Sequence, residues 1–302
     1  MTKWEPAGDC RARVNCRSVA ATGDPGYALS SSSEEEHERL SSQADWYAPF
    51  TRRLLLRAGV EPGMRVMDVG CGPGDVSFLV SELVGGSGSV IGVERDEGAL
   101  ATARRRAVES GVSNVEFVHG DFREVGLDGG PVDALVGRLV LMYQGDPAAA
   151  VAAAARQVRP GGVVVFAEMC LTMDSVLPSR ALRSWPPTPA SEQLGEWIHD
   201  MHIALGTHTD MGLRLPATFA EAGLLPSPDL DSEVAISIGE EAIRRVVDLT
   251  RSFLAGMIAT GTATEEEVDI DTLAERLRAD TGRVGRVSLW PTVVGAFATK
   301  PA

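Results

Sequence analysis

The chain has 302 residues, 44% of them hydrophobic, a formal charge of −14 and a mean hydropathy close to zero. That is apolar material for one large α/β domain with additions or for two small ones, and no apolar run approaches the roughly 20 residues of a membrane span. The acidic balance argues against a nucleic-acid backbone as partner. Lysine occurs only at Lys3 and Lys300, which removes a P-loop lysine and any internal Schiff base.

Residues 1–26 hold Gly, Pro and Ser without periodicity and read as a loose leader lacking an apolar secretory segment. The four cysteines, Cys10, Cys16, Cys71 and Cys170, have no metal-ligand spacing and suit a reducing cytoplasm. Residues 27–60 read as a helical cap. Overlapping capping boxes, Ser32 with Glu35 and Ser33 with Glu36, predict a helix start, and Leu40, Ala44 and Tyr47 continue it at helical spacing. A second helix is expected over 51–58, ending at Gly59.

From there apolar strands alternate with helices. Strands are expected at Arg65–Val69, Ser89–Glu94, Val115–His119, from 134 onward and at 163–168. Helices are expected at 76–83, Glu97–Glu109 and 148–158, with a tight turn at 159–162. Repeated β–α–β units with strands apolar throughout mean a parallel sheet covered on both faces, here over 61–170. Residues 171–208 and 240–282 read as helical insertions covering the ligand edge of that sheet, and 209–239 and 283–302 as the rest of the core.

The first strand ends in D68-V-G-C-G-P-G74, with a helical pattern behind it. A dinucleotide loop of the G-x-G-x-x-G kind, counted from Gly70, needs a glycine at position 75. The residue there is Asp75, whose carboxylate would repel a pyrophosphate. The loop invites a neutral or positive ligand, and S-adenosylmethionine carries a sulfonium and no phosphate. Glu94 ends the second strand, 20 residues after Gly74, where a carboxylate accepts both ribose hydroxyls. Asp121, past the third strand, suits an adenine amino group, and Phe122 could stack on the base.

D68-V-G-C-G-P-G74, Glu94, G120-D-F122 and R159-P-G-G162 resemble the motif set of class I S-adenosylmethionine-dependent methyltransferases, in the small-molecule branch of the ubiquinone/menaquinone type. The resemblance covers roughly residues 27–170 and, more loosely, the last strand. It implies a Rossmann-like three-layer αβα sandwich with a mostly parallel seven-stranded sheet. It also implies S-adenosylmethionine as methyl donor, S-adenosylhomocysteine as product and a small-molecule acceptor of specialised metabolism, methylated at carbon or oxygen. The cofactor set it implies is Asp68, Gly70, Cys71, Gly72, Gly74, Glu94, Arg95, Asp121, Phe122 and Arg138, the last near the position after strand four that flanks the cofactor.

The acceptor side is read from chemistry. Glu168 ends the fifth strand after an apolar run and is expected to face the cleft as a base, or else to pair structurally with an arginine. His199 and His202 share a helix face and are further base candidates, or packing residues; no carboxylate at convincing spacing turns them into a metal site. Tyr47, Trp185, Trp197 and Met201 are candidates for an apolar acceptor pocket or for core, and Arg138 for an anionic acceptor group. A diphosphate acceptor would call on Arg138, Arg180 and Arg183 with magnesium. A homodimer is among the assemblies left open. Rival readings are a cyclase or isomerase that keeps the cofactor without methyl transfer, an NAD(P)-dependent oxidoreductase, and a non-enzymatic binding subunit.

Overall fold

A computed structural model describes residues 34–171, 182–281 and 287–302. The leader over 1–26, the caps at Ser32 and Ser33, Cys10, Cys16 and Arg180 lie outside the described residues. Helix α1 (Glu34–Arg57) is continuous where the sequence predicts two helices, and it runs through Pro49. The proline ring is exposed and removes one backbone donor. One turn either side, Tyr47, Phe50, Thr51, Leu54 and Leu55 are all buried at helical spacing. Burial of that stripe outweighs the lost hydrogen bond.

Then follow β1 (Arg65–Val69), α2 (Asp75–Val84), β2 (Ser89–Glu94), α3 (Glu97–Glu109), β3 (Val115–His119), β4 (Val132–Arg138), a 3-10 turn (Leu141–Tyr143), α4 (Pro147–Ala155) and β5 (Val158–Cys170). Beyond them lie β6 (Arg183–Trp185), α5 (Pro189–Ala204), α6 (Met211–Glu221), β7 (Leu225–Pro226), β8 (Asp231–Glu233), β9 (Ile236–Ile238), α7 (Gly239–Thr260), α8 (Glu265–Val268), α9 (Ile270–Thr281), β10 (Val287–Leu289) and β11 (Thr292–Thr299).

The main sheet runs β3-β2-β1-β4-β5-β11-β7, seven strands in order, with short β8 pairing beside β7 on β11. β1 to β5 are parallel, and β11 enters antiparallel, from Thr292 opposite Cys170 to Thr299 opposite Val163. This is the covered parallel sheet expected from the alternating pattern, in the Rossmann-like layering that the resemblance implies. The turn expected at 159–162 is instead a bulge inside β5. Val132 of β4 faces Val158, the next registered pair is Ala134 with Val163, and the residues between bow out around Gly161 at φ 71.

Within 209–239, read as core, the extended residues are divided between two sheets. β8 joins β11, while β9 pairs with β10, which also pairs with β6. In that smaller sheet Ser184, Ser288 and Ser237 lie in register and are buried, so its polar residues face inward. Helices α5, α7 and α9 pack on one another around Leu182, Leu194, Ile243, Val246, Leu273, Leu277 and Trp290. Trp197 and Leu249 join this cluster to the main core. Trp46 of α1 meets Trp290 with ring centroids 4.7 Å apart. The chain enters this layer from the end of β5 and leaves it at the start of β11, so the layer attaches at the carboxyl ends of the parallel strands.

Helix α6 approaches β5 and β11 unusually closely at Gly212. A Cβ there would lie 2.6 Å from the carbonyl oxygen of Glu168, 2.9 Å from Cys170 Sγ and 3.0 Å from Val294 Cβ. On an exposed helix Gly→Ala stabilises by up to about 1 kcal/mol. Here the backbone contact dominates, so Gly212→Ala should destabilise by about 1–3 kcal/mol in urea unfolding. An unchanged or raised midpoint would mean that α6 sits farther from the sheet than described.

Candidate functional site

The site forms where β1, β2, β3 and β4 end, the edge at which open parallel sheets bind ligands. Gly70, Gly72 and Gly74 all have positive φ (63°, 52° and 92°), a backbone that other residues rarely adopt. A Cβ on Gly70 would come within 2.7 Å of Val140 Cγ2, whereas a Cβ on Gly72 would meet nothing within 4 Å. The loop is thus packed at its start and open at its middle.

Beneath the loop Asp68 is buried, and its Oδ2 accepts a 2.6 Å hydrogen bond from the Ser77 hydroxyl on α2. Burial pushes its pKa up to about 7, with the Ser77 hydrogen bond and the charge of Arg138 acting the other way. Asp68 therefore ties strand to helix. Cys71 turns its side chain into a small apolar cluster with Leu100, Ala103, Ala107 and Phe117, and burial raises its thiol well above the ordinary range. Asp75 does not stand as a free negative charge, because Arg106 of α3 donates to it at 2.7 Å and to the Pro73 carbonyl at 2.6 Å. The case against a pyrophosphate then rests on the missing glycine. Arg106 gives no local motif signal: it lies 31 residues away.

Glu94 is set in place by backbone alone. Oε2 accepts from the Gly72 amide at 3.1 Å, and Oε1 accepts from Arg95 at 2.7 Å and Asp96 at 3.1 Å. A carboxylate offers about four acceptor positions, so capacity remains chiefly on Oε2. Asp121 is held by Arg123, whose Nε donates to Oδ1 at 2.9 Å and whose Nη2 donates to Oδ2 at 2.6 Å. That pairing lowers its pKa. Arg95 Nη1 stands 4.0 Å from the same carboxylate. Phe122 is placed differently from the expected stacking platform: its ring is buried and belongs to the main core.

At the end of β4, Arg138 donates to the Thr51 hydroxyl at 3.2 Å, and Thr51 donates in turn to the Tyr47 carbonyl at 2.8 Å. Burial lowers the Arg138 pKa, with Asp75 and Asp68 acting against it. Tyr47 is buried, donates to the Pro291 carbonyl at 3.3 Å, and is pushed above its usual range by burial. The structure brings Tyr47, Thr51, Arg138 and Asp68 to one place; Thr51 escaped the sequence reading because a lone threonine on a helix carries no pattern.

The other acceptor candidates scatter. Trp185 is 68% exposed on the outer face of the small sheet. Met201 is fully buried core, and Trp197 is half-buried between the two apolar clusters. His199 is half-buried; its Nδ1 lies 3.2 Å from Asp200 Oδ1, and its enclosed Nε2 has no hydrogen-bond partner among the described residues. His202 is buried edge-on against Phe253, with Nδ1 3.3 Å from the Thr207 hydroxyl. Glu168, expected to face the cleft, has no exposed surface, and both its oxygens accept backbone amides.

A left-handed glycine loop beside a backbone-held strand-two carboxylate, at the carboxyl edge of a parallel sheet, marks a Rossmann-like α/β protein. Residues 60–222 match the family described as a methyltransferase domain, and the chain belongs to that family. Nocamycin O-methyltransferase of Saccharothrix syringae is 30% identical over 145 residues, 48% of this chain and 49% of that protein. Demethylmenaquinone methyltransferase of Staphylococcus aureus (strain MRSA252) is 29% identical over 136 residues, 44% of this chain and 56% of that one. The chain therefore spans about half the length of these curated relatives. The crystal structure of the YcgJ protein from Bacillus subtilis shares the fold, with a TM-score of 0.54, 16% identity and coverage of 84% of this chain and 99% of that one.

Burial holds His202 neutral in the fold, pushing its pKa from 6.5 down to about 4, and the charge of His199 acts the same way. Between those values the unfolded chain binds a proton that the folded chain refuses, so this group's contribution to stability falls as pH falls. Buried Asp68 and Glu168 have raised pKa values and act oppositely in the same range. A variant comparison isolates the histidine: relative to wild type, the Tm of His202→Gln should improve on going from pH 7.5 to pH 5. A constant difference would place His202 in contact with water.

Proposed function

We propose that this edge binds S-adenosylmethionine and that the chain transfers its methyl group to a small-molecule acceptor, at carbon or oxygen, in specialised metabolism. The observation that carries the reading is the hydrogen bond from the Gly72 amide to Glu94, which holds a strand-two carboxylate beside the open middle of the glycine loop as a candidate for the ribose hydroxyls. The residues fit the ligand. The middle of the glycine loop leaves space against which a ligand can lie, Glu94 keeps acceptor capacity on Oε2 for a ribose hydroxyl, and Asp121, held by Arg123 just past β3, is the carboxylate assigned to an adenine amino group. Membership of a methyltransferase-domain family supports the same reading, as do the methylating relatives.

When bound, the ligand supplies an electrophilic methyl on a sulfonium. The chain's own part is alignment, exclusion of water and, where the acceptor is an acid, removal of its proton. Gly70, Gly72 and Gly74 allow backbone approach. Asp68 and Ser77 fix the start of α2 beneath the loop. Arg138, steadied by Thr51 and standing near Tyr47, offers positive charge to an anionic acceptor group. The enclosed Nε2 of His199, without a hydrogen-bond partner among the described residues, is the base candidate. Magnesium enters only if the acceptor is a diphosphate. A small-molecule partner and a cytoplasmic setting complete the reading.

Calorimetric titration with S-adenosylhomocysteine, S-adenosylmethionine and NADH tests it. Both adenosyl ligands should bind in the micromolar range, and Glu94→Ala or Asp121→Ala should weaken them about ten- to hundredfold, the worth of a charge-assisted hydrogen bond. Binding of NADH alone, or adenosyl binding indifferent to both substitutions, overturns the assignment.

A further inference from the structure

Leu139 is a non-glycine residue with φ 58, and apart from Asp269 at a helix C-cap it is alone in this among the described residues. A leucine in the left-handed region is strained and persists only where its surroundings over-determine it. Here they do. The Leu139 amide donates to the Ala167 carbonyl at 2.9 Å. The next three amides are gathered by one side chain. Glu168 Oε1 accepts from Val140 at 2.9 Å and Leu141 at 2.8 Å, and Oε2 accepts from Met142 at 3.3 Å. The carboxylate thus caps the 3-10 turn from the neighbouring strand.

This is a costly way to cap a turn. Glu168 has no exposed surface, and no lysine, arginine or histidine is among the groups that set its pKa; only backbone amides oppose its desolvation, which pushes it up to about 7. A serine within the turn would cap it without burying a charge. The turn also has a second partner. Val140, the first residue Glu168 holds, is the side chain against which Gly70 packs, 2.7 Å from where a Cβ would stand. On the other side of Val140, Leu139 joins it to Arg138.

We propose that Glu168 is a positioning residue: by clamping the amides of residues 140–142 it sets the Val140 side chain on which the glycine loop rests, and so fixes the loop and Arg138 relative to each other. This deepens the functional reading above and rests on it for its consequence, because the loop is the proposed cofactor site and Arg138 stands beside it. On this view Glu168 touches neither ligand and takes no proton from the acceptor.

Amide hydrogen exchange on the free protein, followed by peptide, tests the clamp without any ligand. In Glu168→Gln one acceptor oxygen becomes a donor facing backbone N–H groups. Exchange in the peptide over 139–144 should accelerate tenfold or more, exchange in the peptide over 70–75 should accelerate with it, and α4 and β3 should stay at wild-type rates. Glu168→Asp, which keeps the charge, should restore part of the protection in both peptides. S-adenosylhomocysteine affinity should follow, about tenfold weaker in Glu168→Gln and partly recovered in Glu168→Asp. Faster exchange over 139–144 with an unchanged glycine loop overturns the coupling; wild-type rates in both peptides overturn the clamp; uniform acceleration everywhere assigns Glu168 to global stability alone and overturns positioning. Should Glu168→Gln fail to fold, Val140→Ala carries the test, since it removes the contact and leaves the clamp intact. Loosening of 70–75 without loosening of 139–144 is then expected, and an unaltered loop is the contrary result. Failure of wild type to bind S-adenosylhomocysteine sinks the functional reading while the exchange experiment still decides the clamp.

Discussion

The contact between Gly70 and Val140 joins the loop after β1 to the turn after β4, and most of the site is arranged around keeping it. A Cβ at position 70 would collide with the valine, so the loop must begin on glycine. Its left-handed backbone then leaves the middle of the loop open above Glu94. Arg106 ties the far end of the loop to α3 through Pro73 and Asp75, and Ser77 ties the start of α2 to Asp68. Each of these tethers reaches the loop from a different element, so its shape belongs to the whole edge of the sheet.

Charge is spent sparingly and locally in this acidic chain. With lysine confined to the two ends, arginine supplies the positive groups of the site, and its planar fork suits the carboxylates it meets. Arg123 grips Asp121 through two nitrogens, and Arg106 divides its guanidinium between a carboxylate and a carbonyl. Arg138 is the exception: its hydrogen bond goes to a hydroxyl, and its charge is balanced at a distance by Asp68 and Asp75. That leaves it more able than the other two to answer a ligand. Asp68 and Glu168 show the converse economy: one is held by a hydroxyl and the other by three amides, and burial raises the pKa of both.

Several features were legible in the order of residues because they are local. Strands apolar throughout and alternating with helices imply a covered parallel sheet, and β1, β2 and β3 fall where that pattern places them. Glycines at alternate positions, followed by a helix and then by an acid at the end of the next strand, describe a short-range device, and the fold assembles it as such. The continuity of α1 through Pro49 was not legible, since it depends on a buried stripe that only the docked helix has. The same holds for the bulge in β5, for the allocation of β8 and β9 to separate sheets, and for the outward turn of Trp185.

Composition, period and the spacing of the glycines with Glu94 and Asp121 determined the class of fold and the sheet edge at which these residues gather, because those signals reside in residues close together in the chain. Tertiary structure alone decided what each polar group of the site is free to do. Glu168 ends its strand in the sequence like a base facing a cleft, yet amides 26–28 residues away occupy it. Arg106, Arg123 and Thr51 carry no motif, yet they hold Asp75, Asp121 and Arg138. The physical reason is that burial and hydrogen-bond occupancy are properties of the space around an atom. Chain elements distant in sequence fill that space, and no pattern along the chain records which of them will arrive there.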